Sequence, residues 1–561
     1  MYYPARRAAH SCAVSLQALE RRGNSVRKAA VVVLLVAGLI GGCAKERRAE
    51  AGSTELAPYV DLGLTIASLA EVVMPEPTAV DGYGVIGGLR GTGSAECPPQ
   101  VRTYLRRYVP TQVPEAQVDV DKFIDSPNTA VIWLEGFMPP GACKGQRFDV
   151  RVVALRGTQT TSLDGGWLYT AELWPRGSFG VGSTPIAIAE GPVFIDTIST
   201  AQPNNRIGYV LSGGTAMADY RVGVVLRKPD YRAASAIRNK INERFGPDVA
   251  QAISSGQIEL RIPQRYAERR IRFIEIVRAT YLDETEGITQ ERVRTFVRQL
   301  AVSADKHSSE IALEAIGKAS LSKLGVLLNS SNEEVRLRAG RCMLNLGSDR
   351  GFEVLRAIAI DPNGTYRIDA LEAIVGSAKP DDASVLATTL LRDRDMTVML
   401  AAYEQLRKLA DAAVSREFVG RSFHLEQTPQ TQHKAVFVTR MGPPRIVLFG
   451  APLYCQGDVF IQSPDASVVI DSRAGQDYVS VTRKHPSRPA VLGSFQSSRD
   501  LGDIIKTLCG EPAAADKRTR GGLGVSYADM IALVKQMCEK DAVRAEFWAG
   551  PLPEIGLPVK K

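Results

Sequence analysis

The sequence predicts an α+β protein in which glycine-rich, mixed or antiparallel β domains are interrupted by an α-solenoid segment. Two early stretches alternate apolar and polar residues as half-buried strands do, Thr129–Glu135 and Arg147–Val153. A repeating helical pattern follows between about residues 285 and 414, and short strand-like segments return after about residue 418. The chain is therefore expected to be strand-rich, then helical, then strand-rich again.

This pattern divides the chain into five predicted parts. They are an export signal (1–42), a flexible tether (43–58), a β-rich domain (59–282), helical repeats (283–416) and a C-terminal α/β region (417–561). One clear helix is predicted inside the β-rich domain, from Tyr231 to Phe245. Asp230 precedes it as an N-cap and Gly246 ends it.

The helical part carries an internal repeat. Four helix-like segments place a small residue at the middle of one apolar face, at Ala312, Ala339, Ala370 and Ala402. These alanines are 27, 31 and 32 residues apart, and a period near 30 with two helices per unit is typical of a solenoid. Two of the segments, Glu334–Ala339 and Tyr366–Leu371, resemble the second halves of HEAT-type repeats; a plain helical bundle is the alternative. Such a stack offers a binding surface and no chemistry.

The C-terminal region is predicted to contain short strands, a polar loop over 512–522 and a final helix. The helix runs over Tyr527–Lys540 with Ser526 as its N-cap, and a last strand lies near Ala545–Trp548. The predicted strands before them are Ala435–Thr439, Arg445–Phe449, Asp458–Ile461, Ser467–Asp471 and Tyr478–Thr482.

The N-terminus has the features of an export signal. Arg27 and Lys28 precede an apolar, small-residue run that ends at Cys43. Residues 39–43 (Leu-Ile-Gly-Gly-Cys) resemble the lipobox of bacterial lipoproteins, which implies cleavage before Cys43 and a lipid on its thiol. An uncleaved anchor, or an ordinary signal with a chance cysteine, is the alternative.

Charge argues against a nucleic-acid partner once the signal is removed. The whole chain carries a formal charge of +8, and residues 1–42 contribute +5, so +8 minus +5 leaves +3. A basic balance of this size is not the footprint of a nucleic-acid-binding domain. We therefore expect no nucleic-acid partner.

Six cysteines follow Cys43, at positions 97, 143, 342, 455, 509 and 538. None forms a CxxC pair, so no structural metal site is predicted. In an oxidising compartment the first-choice disulfide pairs Cys97 with Cys143, and the second choice pairs Cys509 with Cys538. Cys342 lies in an apolar helical pattern and is expected in the core.

No motif predicts catalysis or a cofactor. The glycine run over residues 81–93 lacks the sequence of a phosphate loop, so its glycines are expected to let strands turn and pack closely. The histidines after the leader are scattered, and no GxSxG elbow occurs. Asp381 and Asp382 are predicted to lie at the start of a helix. The basic stretch Arg261–Arg278 could face an anionic envelope polymer, but a solvated face is the preferred interpretation.

Several segments, in order, resemble the flagellar P-ring protein family. They are Gly82–Gly93 (family G-Y-G-L-V-x-G-L-x-G-T-G), Asn128–Val131, Pro139–Pro140, Gly145–Val150 (family G-Q-R-I-D-V), Ser162–Leu168, Ile188–Gly191 and Leu226–Tyr231 with its helix. Leu523–Val534 and Arg544–Phe547 resemble the family's closing helix and strand. The resemblance implies a non-enzymatic subunit, with the β domains typical of a ring-forming protein and helical repeats inserted in the later half.

The resemblance also implies partners and a location. Copies of the chain would close into a homo-oligomeric periplasmic ring around the flagellar rod, at the peptidoglycan layer and beneath the L-ring. A lipid on Cys43 would add a membrane, with the outer membrane favoured, and the helical repeats would bind an unknown protein. The lipobox and the helical insert depart from the usual family pattern. A lipid-anchored envelope scaffold is therefore the alternative function, and a peptidoglycan hydrolase is a third.

Overall fold

The computed structural model describes residues 62–73, 76–112, 119–179, 182–199, 203–219, 221–463, 465–484, 491–511 and 522–555. The predicted export signal and lipobox with Cys43 lie outside these residues, as do all but the last residue of the predicted 512–522 loop and His485. Almost all of the predicted tether lies outside them too.

The described elements form a strand-rich region, a helical region and a second strand-rich region, in the order that the sequence predicts. The helices are α1 (Ile66–Leu69), α2 (Pro99–Gln112), α3 (Val120–Ile124), α4 (Tyr231–Phe245), α5 (Arg270–Ala279), α6 (Glu286–Val302), α7 (Lys306–Ile316), α8 (Leu321–Leu327), α9 (Glu333–Asn345), α10 (Arg350–Ile360), α11 (Arg367–Val375), α12 (Pro380–Leu390), α13 (Met396–Lys408), α14 (Leu501–Cys509) and α15 (Tyr527–Glu539). The strands are β1 (Ala70–Val73), β2 (Thr78–Gly87), β3 (Ala130–Met138), β4 (Arg147–Ala154), β5 (Trp167–Pro175), β6 (Ala187–Pro192), β7 (Ile207–Ala216), β8 (Val222–Leu226), β9 (Ala250–Ala252), β10 (Gln257–Leu260), β11 (Ser415–Val419), β12 (Phe423–Thr428), β13 (Ala435–Val438), β14 (Arg445–Phe449), β15 (Val459–Gln462), β16 (Val468–Ser472), β17 (Tyr478–Lys484), β18 (Val491–Ser498) and β19 (Glu546–Ala549).

Six strands close into a barrel in the order β2-β3-β4-β7-β6-β5. Alternate side chains fill its interior, among them Ile86, Ile132 and Val152. The glycines of β2 permit close approach of the neighbouring strand. A Cβ at Gly82 would overlap the carbonyl oxygen of Glu172 in β5, which confirms the packing role predicted for this run.

The barrel is inserted into a second sheet. That sheet has the order β1-β8-β10-β9, so β1 precedes the barrel in sequence and pairs with β8, which follows it. Helices α4 and α5 cover it with the apolar side chains of Ile237, Ile241 and Phe273. Thr65 forms an isolated bridge with Tyr281, so the two ends of this region meet.

Helices α6–α13 follow and pack mainly on their sequence neighbours, as α9 does on α10 and α12 on α13. Three of the four predicted central alanines, Ala339, Ala370 and Ala402, are completely buried, and Ala312 is buried as well. The small residues therefore lie where helices approach closely. Their assignment to HEAT-type repeats stays a prediction.

Two sheets form the C-terminal region. One has the order β11-β12-β14-β13-β19 and the other the order β15-β16-β17-β18. Helices α14 and α15 share one apolar core with both sheets, and Phe194 and Leu211, from the barrel region, belong to the same core. The C-terminal region is thereby fixed to the barrel by apolar burial.

The sequence located several elements closely. The predicted helix Tyr231–Phe245 has these bounds, and its cap Asp230 accepts hydrogen bonds from two backbone N–H groups. The strand Arg445–Phe449 is also as predicted, and the final helix ends one residue early, at Glu539. The elements that sequence reasoning missed include α2, α14, β11, β12 and β18.

The Gly82→Ala substitution should destabilise the protein by about 1–3 kcal/mol, because the added methyl group would overpack against the backbone of β5. Urea unfolding followed by circular dichroism measures the change. The control is Gly223→Ala in β8, where a Cβ would meet nothing within 4 Å. Equal stability of the two variants would contradict the close-approach argument.

Candidate functional site

A fully buried carboxylate joins the β-rich region to the helices. Glu310 of α7 is 0% exposed and binds three arginines. Arg272 of α5 lies 2.7 Å from Oε1, and Arg338 of α9 lies 3.0 Å from Oε2. Arg341 of α9 donates to both oxygens, at 2.6 and 2.7 Å. One side chain on α7 therefore fixes α5 and α9 together.

Glu314, one turn further along α7, extends the cluster. It accepts a hydrogen bond from the Nε of Arg272 at 3.0 Å and from Asn345 at 3.0 Å. Arg269 donates to Asn345 at 3.1 Å and to Ser377 at 2.9 Å. The contacts thus reach from α5 to the segment after α11.

The balance of charge keeps Glu310 ionised. Burial alone would raise its pKa, but the attraction of Arg272 and the hydrogen bonds and charge of Arg341 outweigh burial and lower the pKa to about 2. Burial likewise opposes the charge of Arg272, and Glu310 and Glu314 raise its pKa in spite of it. Glu310 and Arg272 therefore form an ion pair in which each charge favours the other.

This cluster corrects the interpretation of the basic stretch Arg261–Arg278 as a solvated face. Arg269 and Arg272 bind acceptors on the helices, and Arg270 donates to the carbonyl oxygen of Gly141 at 2.6 Å. The prediction was wrong for these side chains because the acceptors named here lie at least 38 residues away along the chain. No local pattern marks such partners.

A second junction connects the barrel with the C-terminal region. Asp149 of β4 accepts hydrogen bonds from the backbone N–H groups of Ser212, at 2.6 Å, and Gly442, at 2.8 Å. Asp196 pairs with Arg440 at 3.3 Å. Burial raises the pKa of Asp149, and these two N–H groups oppose the rise. Asp149 belongs to the Gly145–Val150 motif, so the motif has a structural role here.

A third junction attaches α13 to the five-stranded sheet. Glu426 of β12 is fully buried, accepts a short hydrogen bond from the Tyr403 hydroxyl and pairs with Arg407 at 3.0 Å. Arg445 of β14 donates to the Tyr403 hydroxyl at 3.0 Å and pairs with Glu404 at 2.9 Å. The helices are therefore held at both ends by buried ionic contacts.

A group of acidic residues lies where the barrel meets α15. Burial, together with the nearby charges of Asp164 and Asp465, raises the pKa of Asp529 to about 6, although Ser526 and Arg483 oppose the rise. Ser526 Oγ lies 2.8 Å from Asp529 Oδ2 and caps the helix, as predicted.

An apolar cavity lies on the outside of the barrel, under α2. Its volume is about 320 Å³, and its walls include Tyr83, Leu105, Tyr108, Phe123 and Tyr169. At the neighbouring Tyr104, the hydroxyl donates to Glu172 at 3.0 Å. The described part of the chain offers no charged group that points to a particular ligand for this cavity.

The structure has the six cysteines after Cys43 as free thiols. Cys97 packs against the apolar residues under α2, whereas Cys143 is exposed in a loop near Arg270. Cys509 is buried at the end of α14, and Cys538 is half-buried on α15. The pairs Cys97–Cys143 and Cys509–Cys538 stay predictions. Cys342 is buried, as predicted.

Two histidines and the aspartate pair that the sequence analysis considered take part in ordinary structural contacts. His307 contacts Glu275 at 3.0 Å, and His433 contacts Glu546 at 3.2 Å. Asp381 and Asp382 lie in the first turn of α12. Among the described residues, no three His, Cys, Asp or Glu side chains are grouped as ligands for a metal ion. None of the described helices is both long and apolar enough to cross a membrane.

A barrel, three sheets and a run of helices, connected by buried ion pairs, define a multi-layered scaffold. The comparisons with known proteins match one part of this scaffold. Residues 65–302 match the family described as flagellar P-ring protein. The resemblance predicted from the sequence is thereby confirmed over the barrel, the β1-β8-β10-β9 sheet and helices α1–α6.

Individual relatives agree with the family match. The chain is 29% identical over 211 residues to the flagellar P-ring protein of Thermotoga maritima, which is 35% of this chain and 60% of the relative. It is 28% identical over 220 residues to that of Aquifex aeolicus, covering 36% and 58%. It is 30% identical over 225 residues to flagellar P-ring protein 1 of Hahella chejuensis, covering 37% and 57%. The chain thus spans about three fifths of the length of these relatives.

Glu310→Gln should lower the free energy of unfolding at pH 7 by about 3–5 kcal/mol, because three half-buried guanidinium groups lose their fully buried anion. Urea unfolding measures the loss. The folded-state pKa is depressed, so the contribution of Glu310 is present above about pH 4.5 and is lost as the pH falls toward 2. The variant should lack this part of the acid dependence.

Glu353→Gln on α10 is the matched control, since that side chain is 73% exposed and lies 3.9 Å from Arg356. If both variants unfold at the same urea concentration, Glu310 does not hold the junction.

Proposed function

We propose that this chain is a structural subunit of the flagellar basal-body P ring, which forms a periplasmic bushing around the rod and supports motility. The family match over residues 65–302 carries the proposal, because it covers the complete barrel and the sheet into which the barrel is inserted. The matched region ends at Val302, the last residue of α6. Helices α7–α13 therefore follow the family region as an addition.

The proposed role is mechanical. A bushing has to keep its shape beside a turning rod. This chain joins its layers through buried ionic contacts at Glu310 and Glu426 and through backbone hydrogen bonds to Asp149. Buried pairs of this kind are costly to break, because each leaves an uncompensated charge. The proposal requires no catalysis and no cofactor.

The proposed partners follow from this role. They are further copies of the chain, the rod and L-ring proteins, and peptidoglycan. We further propose that a lipid on Cys43 attaches the ring to a membrane, with the outer membrane favoured, and that 43–58 is its tether. Helices of the 283–416 part would bind another protein. The alternative is a lipid-anchored envelope scaffold that keeps the ring-protein region and recruits partners through these helices.

Basal bodies purified from cells that carry a tagged chromosomal copy should contain this chain, and deletion should abolish swimming. Detection with the tag in the purified basal bodies is the measurement. A chain that is abundant in the envelope but absent from basal bodies would reject the P-ring role and favour the scaffold. Swimming alone is a weaker readout, since envelope damage also stops motility.

Cys43→Ser should release the chain from membranes, because acyl chains contribute roughly 0.8 kcal/mol for each buried methylene group. Membrane and soluble fractions of cells that carry either form are compared with an antibody to the chain. Cys97→Ser is the matched control and should stay in the membrane fraction. Continued membrane binding of Cys43→Ser would reject the lipid anchor and leave the ring proposal intact.

A further inference from the structure

The five-stranded sheet of the C-terminal region has two open edges. In the order β11-β12-β14-β13-β19, the outer strands β11 and β19 each have one hydrogen-bonded neighbour among the described strands. Most residues of both are exposed. An open edge presents unpaired backbone groups that can pair with another strand.

Both edge strands run in the same direction. Strand β11 is antiparallel to β12, β12 is parallel to β14, β14 is antiparallel to β13, and β13 is parallel to β19. If identical copies are placed side by side with their sheets aligned, β19 of one copy meets β11 of the next as a parallel pair. This contact is head-to-tail, and contacts of this kind produce a ring when the rotation closes.

The backbone of β19 has donors and acceptors left for such a pair. The N–H groups of Glu546 and Gly550 donate to the carbonyl oxygens of Lys434 and Val438, on the β13 side. Since the backbone groups of a strand alternate in direction, those of Phe547 and Ala549 face the open side.

The side chains on the two edges complement each other. Following the paired residues across the five strands leads from Trp548 in β19 to Arg416 in β11, so these two side chains lie on the same face of the sheet. Glu546 and Phe418, each two residues away along its strand, lie on that face as well. Phe418 is 57% exposed and Trp548 is 37% exposed. When β11 of the next copy is shifted along β19 by two residues from the alignment of Trp548 with Arg416, every side chain stays on the same face of the sheet. This shift sets Arg416 beside Glu546 and Phe418 beside Trp548.

Neither edge strand is blocked by a proline or a bulge. β11 and β19 contain no proline, and their pairings with β12 and β13 have no bulge. The edge strand β18 of the other C-terminal sheet differs, because its pairing with β17 has a register irregularity at Arg483 and Lys484.

We propose that β11 of one copy pairs in parallel with β19 of the next copy, with Arg416 beside Glu546 and Phe418 beside Trp548. The partner is a second copy because each edge supplies the charge, the aromatic ring and the strand direction that the other edge needs. This inference rests on the proposed ring function and names the surface through which its subunits join.

The test uses pairs of differently tagged full-length copies in the same cells, solubilised from the envelope and purified through one tag. Wild-type copies should copurify as an oligomer. Phe418→Asp and Trp548→Asp each disable one edge, so two copies of the same variant should not copurify. A cell with one copy of each variant should yield a 1:1 dimer, joined by the two intact edges, which cannot grow.

Phe460→Asp is the matched control, since this phenylalanine is 61% exposed on the edge strand β15 of the other sheet. Its copies should assemble as the wild type does. Arg416→Glu and Glu546→Arg should each reduce copurification about fivefold, as expected for like charges opposite each other. The double variant should restore it, because every copy then carries the reversed pair.

Several results would overturn the inference. They are wild-type copies that do not copurify, a dimer of either aspartate variant alone, a mixture that yields no dimer, and loss of assembly in Phe460→Asp. These outcomes are separate from the basal-body test. A chain found in basal bodies whose Phe418→Asp variant still assembles would reject this surface and leave the ring function standing.

Discussion

One buried carboxylate fixes how the two halves of this protein are arranged. Glu310 receives an arginine from α5, the last helix on the β1-β8-β10-β9 sheet, and two from α9. A single ion pair in this environment would not recover the cost of removing its charges from water. Three guanidinium groups around one carboxylate do so, which the depressed pKa of Glu310 reflects. This contact holds α7 and α9 in place against α5, and so against the β1-β8-β10-β9 sheet.

A carboxylate also accepts hydrogen bonds at the two other junctions described above. Asp149 receives the backbone of the 440–443 turn, and Glu426 receives α13. Each junction adds directional bonds to an apolar core that alone would tolerate sliding. A scaffold built in this way resists shear between its layers, which is the property that the proposed ring subunit requires.

Local patterns located some of the elements closely, missed others, and gave no information on the partners of distant residues. The bounds of α4 followed from Asp230, Gly246 and a face of apolar residues, all within one short segment. The strand β11 was missed because almost every residue in it is exposed, so it has no alternation. The partners of Arg272 and the packing of Phe194 against the C-terminal core depend on contacts between distant segments. No periodicity in a single sequence records these contacts.

The insertion of the barrel between β1 and β8 constrains the order in which the chain can fold. The first strand has no partner until about 150 further residues have followed it, since Ala70 pairs with Leu226. During synthesis or export the N-terminus comes first. The six barrel strands can therefore pair with one another before β8, the partner of β1, is present. The sheet of β13 is likewise incomplete until β19, close to the end of the chain, has arrived. A shortened chain would thus contain a finished barrel and an unfinished C-terminal sheet, and that sheet would be exposed to proteolysis.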